Sequence, residues 1–196
     1  MKATTIRRLL ILCSLGFAAV GADGAVLSGP VSNPVNGSTY YLLASSTWTS
    51  AESEAVTLGG HLATINDQAE NDWVFSNFAA FGGTPRILWI GLQEVGSVGQ
   101  FEWASGELAT FTNWASGEPN NGLVESYVSL WDATHPEFYR APGTWNDFGD
   151  ISSFEGITLH GVVEITPVPE PSMYALIGGS VLVLLALRRS ATHRAA

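Results

Sequence analysis

The sequence predicts an α+β fold. Three observations carry that prediction: two successive helical periodicities early in the middle region, short β-prone runs punctuated by Gly and Pro after them, and all seven Trp concentrated in that region. Of the 196 residues, two apolar ends leave about 140 for a single domain, enough for a real core. The apolar fraction of 46% is inflated by those ends, yet the aromatics of the middle exclude a disordered chain.

The first element is an address. Lys2, Arg7 and Arg8 precede the apolar run Leu9 to Val20, and Gly21, Ala22, Gly24 and Ala25 follow, the order of a secretory signal. Residues 1–25 are therefore expected to be a signal peptide, cut after Ala22 or Ala25; the apolar run is short of the about 20 residues a spanning helix needs. The only cysteine, Cys13, lies inside it, so the domain at 26–166 is expected to have no disulfide and no thiolate metal site.

Within that domain, Thr39 to Leu43 reads as a strand after a turn at Gly37. Thr49 and Glu52 form a capping box, Trp48, Ala51, Ala55 and Leu58 share a stripe, and Gly59-Gly60 stops the helix, which predicts a helix over 49–58. Asn66 or Asp67 caps a second helix over 67–79, with Glu70 placed for a box. Short strands follow around Leu88 to Ile90, Gly99 to Trp103, Tyr127 to Trp131 and Gly161 to Ile165.

From Val26 to Pro167 there are sixteen acidic side chains and two basic ones, Arg86 and Arg140, a net charge of −14. Nucleic acid is excluded as a partner on that balance, whereas a divalent cation fits it. None of the four histidines has zinc-ligand spacing, no nucleophile elbow is present, and no His and Ser arrangement supports catalysis, so no enzyme is expected.

At the other end Pro169-Glu170-Pro171 leads into an apolar stretch, 173–187, followed by Arg188, Arg189 and Arg194. Bottom-up, this is a short stop-transfer segment with positive charge left inside. The order of parts over 168–196 resembles the PEP-CTERM sorting signal of Gram-negative bacteria. The resemblance implies processing by an exosortase, transient membrane contact by the tail, and delivery to the cell envelope or extracellular matrix.

The middle resembles the C-type lectin fold from about Ser38 to Ile165: two helices, small antiparallel sheets and long loops. The matching pieces are Gly59-Gly60-His61-Leu62-Ala63, Trp89-Ile90-Gly91-Leu92, Phe101-Glu102-Trp103 with Gly106, Trp114 to Asn121, and Trp145-Asn146-Asp147. This sequence departs from the family in lacking its two usual disulfides; Ala55 and Val163 stand at one pair of positions, Tyr127 and Asp150 at the other. Trp89, Trp103, Trp114 and Trp145 fall in framework motifs and are expected in the core, whereas Trp131, Phe138 and Tyr139, in or beside the insert 132–144, are expected to be freer.

Calcium requires six to eight oxygen ligands. Glu118 and Asn120 flank Pro119 so that both side-chain oxygens can face one ion, and Glu125 lies just beyond a turn at Gly122. By resemblance, Glu118, Asn120, Glu125, Asn146 and Asp147 match the principal Ca2+ site of sugar-binding C-type lectins, where the same residues hold two vicinal sugar hydroxyls. The Glu-Pro-Asn order implies a glycan of the mannose, glucose, N-acetylglucosamine or fucose type, and a cis peptide bond before Pro119. A second family site is degraded, with Asn121 and Ser126 where acids are common and Glu94 retained. The sequence thus favours a calcium-dependent carbohydrate-binding protein; the alternative is a protein-binding or structural matrix domain whose calcium only orders a loop.

Overall fold

The computed structural model describes residues 25–120, 122–131 and 141–167. The signal peptide with Cys13, the insert residues Phe138 and Tyr139, and the sorting motif Pro169, Glu170, Pro171, Arg188 and Arg189 lie outside the described residues. No helix among the described residues is long and apolar enough to cross a membrane.

Within the described residues, nine strands and two α-helices form in the order β1 (Val26–Ser32), β2 (Thr39–Ser45), α1 (Trp48–Thr57), β3 (His61–Leu62), α2 (Gln68–Phe78), β4 (Ile87–Glu94), β5 (Phe101–Trp103), β6 (Tyr127–Leu130), β7 (Trp145–Phe148), β8 (Ser153–Phe154) and β9 (Ile157–Ile165). The sheet runs β1-β2-β9-β4-β6-β7, with β3 and β8 paired to β9 and β5 to β4. The α+β prediction holds, but the strands join into one mixed sheet rather than separate antiparallel ones, because β9 pairs parallel to β4 through Ile87↔Leu159 and Trp89↔Gly161.

Two helices on opposite faces require strands buried on both sides. Along β2, Tyr40 and Leu42 enter one apolar cluster while Leu43 enters the other; along β4, Leu88, Ile90 and Leu92 alternate in the same way with Ile87 and Trp89. Val74 and Phe78 of α2 close the first cluster, and Trp48, Ala51 and Ala55 of α1 the second. The buried indoles are anchored at their polar edge: Trp48 Nε1 donates to Ile90 O at 2.7 Å, and Trp145 Nε1 to Asn71 Oδ1 at 2.7 Å.

Helix α1 begins earlier than its sequence signal. Thr47, not Thr49, is the cap and accepts from Ser50 N. Thr49 instead gives its backbone N–H (3.0 Å) and hydroxyl (2.6 Å) to the Asp150 carboxylate, while Glu52 takes His61 Nδ1 (2.6 Å) and Leu62 N (2.9 Å). Gly59 ends the helix at φ 92°, and at Gly60 a β-carbon would lie 2.1 Å from Glu164 O, so only glycine lets the chain pass β9 there.

These contacts explain how the fold closes without cysteines. Ala55 and Val163 are fully buried in one cluster, so close packing stands at the first pair of positions. At the second, Tyr127 stacks on Trp48 with ring centroids 4.6 Å apart, and Asp150 binds the start of the same helix. Both ties run to α1 rather than to each other. The tryptophan expectations are partly reversed: Trp131 is only 1% exposed, stacked on Phe148 with centroids 5.9 Å apart, whereas Trp114 is half-buried.

Candidate metal and ligand site

The loop carrying Glu118 and Asn120 is pinned to β7. Trp145 N donates to Asn113 O at 2.7 Å, Ala115 N to Trp145 O at 2.9 Å, and Glu118 N turns back to Ala115 O at 3.1 Å. The Glu118-Pro119 peptide bond is cis, as the resemblance implies. Beneath the loop, β7 pairs with β6 through Val128↔Asp147 and Ser129↔Asn146, which buries Asn146 and Asp147 almost completely.

Three of the five predicted residues, Glu118, Asn120 and Asp147, meet here, and Asn146 adjoins Asp147 in β7. Asn120 N lies 3.2 Å from Asp147 Oδ2 and 3.4 Å from Oδ1. Burial pushes the Asp147 carboxyl up to about 6, helped by a hydrogen bond with, and the charge of, the Glu118 carboxyl, while its own backbone and Asn120 N pull the other way. Two carboxyl groups in contact need either a proton or a cation between them. Asn146 Nδ2 donates to Asp147 O at 2.6 Å, and its Oδ1 is buried without a hydrogen-bond partner among the described residues. A buried orphan carbonyl is costly unless something electropositive meets it.

Glu125 lies at the far end of the loop, half-buried, with its N–H on Gly122 O at 2.8 Å. Among the described residues no three of His, Cys, Asp and Glu gather as a metal-holding group; the convergence is of two carboxylates with two amides. The donor set is all oxygen, and the orphan carbonyl belongs to it, so the residues fit a hard divalent cation. Glu94, retained from the second family site, is 7% exposed; one oxygen accepts from Gly99 N and the other is buried without a partner among the described residues. A groove of about 330 Å³ lined by His61, Thr64, Ser105, Glu107 and Glu164 contains none of the predicted residues.

The sequence missed a second acidic centre. Tyr40 OH lies 2.6 Å from Glu70 Oε1 and 3.0 Å from Glu164 Oε1, all three residues being buried. Asn36 Nδ2 donates to Glu70 Oε1 (2.8 Å), Asn66 N to Glu70 Oε2 (2.8 Å) and Thr64 N to Glu164 Oε2 (3.1 Å). Glu70 had an adequate local explanation as part of the α2 cap, where Asp67 accepts from Glu70 N at 2.8 Å, and Glu164 lies at the far end of the domain in β9; no sequence signal links them.

The profile of the Lectin C-type domain family matches residues 44–154. The chain is 32% identical over 109 residues to the low affinity immunoglobulin epsilon Fc receptor of Mus musculus, covering 55% of this chain and 29% of that protein. It is 31% identical over 111 residues to the hepatic lectin of Gallus gallus, covering 55% and 47%. The chain thus spans less than two thirds of these relatives. Among solved structures, a calcium-independent type II antifreeze protein superposes with a TM-score of 0.57 at 21% identity, covering 74% of this chain and 98% of that one. The cow carbohydrate-recognition domain of CD23, determined with a GlcNAc2Man3 oligosaccharide, superposes with a TM-score of 0.52 at 25% identity, covering 67% and 89%.

Proposed function

We propose, from the premise that the chain belongs to the C-type lectin domain family, that it is a non-enzymatic carbohydrate-binding protein whose sugar site is ordered by calcium. The observation that carries the reading is the Glu118 and Asp147 carboxyl contact beside the orphan carbonyl of Asn146. Glu118, Asn120, Glu125, Asn146 and Asp147 would hold the ion. Once bound, calcium supplies the positive charge that lets these carboxylates sit together and offers open positions to hydroxyl oxygens.

The chain's own groups do the rest. A carboxylate such as Glu118 accepts a hydrogen bond from a sugar hydroxyl, and an amide such as Asn120 donates one to the same class of hydroxyl, so vicinal hydroxyls are read in pairs. The Glu-Pro-Asn order favours the mannose, glucose, N-acetylglucosamine or fucose arrangement. A single shallow site of this kind binds a monosaccharide at about millimolar strength and gains from display in an array. The amino-terminal signal and the tail at 168–196 supply that array in our reading, by exporting the protein to the envelope or exopolysaccharide matrix of a Gram-negative bacterium.

Calorimetry with calcium, followed by a glycan array with and without it, tests the function. Heat on calcium addition and calcium-dependent sugar binding are expected, and Glu118→Gln with Asn120→Asp should shift preference towards galactose. The competing reading is a protein-binding or structural matrix domain whose calcium only orders the loop, with no sugar site. An array blank with and without calcium selects it.

A further inference from the structure

The turn between β1 and β2 carries the pair Asn36-Gly37. Asparagine is thermolabile, and most so before glycine, which has no side chain to hinder its own backbone nitrogen from attacking the preceding side-chain amide. Here both members of the pair are held, and the acid clamp of Tyr40, Glu70 and Glu164 does part of the holding. Asn36 Nδ2 gives its two N–H groups to Glu70 Oε1 at 2.8 Å and Tyr40 OH at 2.9 Å, while Asn36 Oδ1 accepts from Ser38 N at 2.9 Å. Gly37 N donates to Asn33 O at 2.9 Å, and Asn33 N to Ser38 O, also at 2.9 Å, closes the turn. Both Asn36 and Gly37 are nonetheless exposed to water.

Cyclisation and these hydrogen bonds exclude each other. The bond that forms joins Gly37 N to Asn36 Cγ, so the amide must turn away from Glu70 and Tyr40, and Gly37 N must leave Asn33 O. The Gly37 proton passes by way of water to Asn36 Nδ2, the Cγ–Nδ2 bond breaks, and ammonia departs. One water then opens the resulting succinimide, leaving aspartate or, by attack at the other carbonyl, isoaspartate. Either product sets a third carboxylate beside Glu70 and Glu164 where a donor of two hydrogen bonds stood, and like charges so placed repel. Isoaspartate also routes the backbone through the β-carbon and lengthens the turn.

We propose that Asn36 is a spontaneous deamidation site gated by the acid clamp: the closed clamp protects the amide, each opening exposes it, and the product keeps the clamp from closing again. Opening is local, because the turn and the amide release while the two apolar clusters stay packed. The clamp thereby has a second effect besides tying β2, α2 and β9 together. Its loss is reversible in a fresh molecule and permanent in an aged one. The proposal is independent of the carbohydrate reading.

The test is timed incubation of the full protein at mildly alkaline pH, below its melting temperature. Peptide mass spectrometry reads the replacement of NH2 by OH at Asn36 and, in the same samples, at Asn121-Gly122, the chain's other Asn-Gly pair. Asn36 should convert at least about tenfold more slowly in the native parent than in the parent unfolded in urea, since two or more hydrogen bonds must open first. Tyr40→Phe, which frees one amide N–H, should speed native conversion about five- to tenfold, the effect of one hydrogen bond on the opening equilibrium, with Asn121 unchanged. Leu159→Ala, which weakens the other apolar cluster, should leave the Asn36 rate as it was. Should Tyr40→Phe not fold, Glu70→Gln, which weakens the other hold on the amide, is read in its place with the same result expected. Asn36→Asp, standing for the product, should unfold at lower urea than the parent. Equal native and urea rates, an Asn36 rate raised as much by Leu159→Ala as by the clamp variant, or an Asn36→Asp variant as stable as the parent would each overturn the proposal.

Discussion

Two acid pairs in this domain look alike in composition and behave as opposites. Glu70 and Glu164 are bridged by the Tyr40 phenol of β2; the Asn36 amide, from the turn before β2, and Asn66 N serve Glu70, and Thr64 N serves Glu164, both N–H groups coming from the segment between β3 and α2. Glu118 and Asp147 touch each other instead, with Asn120 N as the backbone donor from the loop and a neighbouring amide carbonyl left without a partner among the described residues. The first pair is complete within the protein and ties three elements together. The second, in the calcium reading proposed above, is completed by a cation. An acid pair is a structural clamp or a ligand site according to how many of its lone pairs the chain itself satisfies.

The sharpest way to break this comparison is Tyr40→Phe. Removing the hydroxyl leaves two buried carboxylates facing each other, and a loss of about 3 kcal/mol in urea unfolding is expected, with no rescue by calcium. Rescue would mean that the two pairs are the same kind of site. Calcium added to the parent at ten times its dissociation constant should stabilise the domain by about 1.4 kcal/mol, read as a rise in melting temperature.

Asp147→Asn should abolish that rise while stabilising the calcium-free domain at pH 7 by about 1 kcal/mol, because it removes the repulsion with Glu118 and keeps an acceptor for Asn120 N. A calcium-free variant less stable than its parent would show that the hydrogen bonds of the Asp147 carboxylate outweigh its repulsion with Glu118. The smallest effect is on pH. Asp147 is held at about 6, above its ordinary 3.8, so protonation favours the folded, calcium-free state. That contribution is complete below about pH 4 and is lost as pH rises through about 6. Glu164, raised by burial and by the charge of Glu70, acts in the same direction. Melting temperature without calcium should therefore fall between pH 4 and 7, and calcium, which competes with the proton on Asp147, should flatten the slope.

Several features were legible in sequence because their signals are local. The stripe Trp48, Ala51 and Ala55 does face the core, and Asp67 does cap α2. The loop around Pro119 and the strand at Trp145 could be matched as motifs because each lies within a few residues. Thr49 and Glu52 misled for the converse reason: their spacing suits a box, but Asp150 and His61, which lie far off in the chain or on another element, compete for them more strongly. Trp131 looked peripheral beside an insert, yet Phe148 and Phe154 enclose it.

By itself the sequence determined the α+β class, the two helices and the helix stop at Gly59-Gly60, since periodicity, caps and short motifs act over a turn or a strand. Only the tertiary structure decided which acids meet. Glu70 finds Glu164 through Tyr40, which the register of β2 with β9 sets opposite Glu164, and Glu118 finds Asp147 because its loop is pinned to β7 at Trp145. Whether each pair is then satisfied depends on Tyr40, Asn36 and an Asn146 carbonyl without a partner among the described residues, groups whose meeting no spacing along the chain encodes.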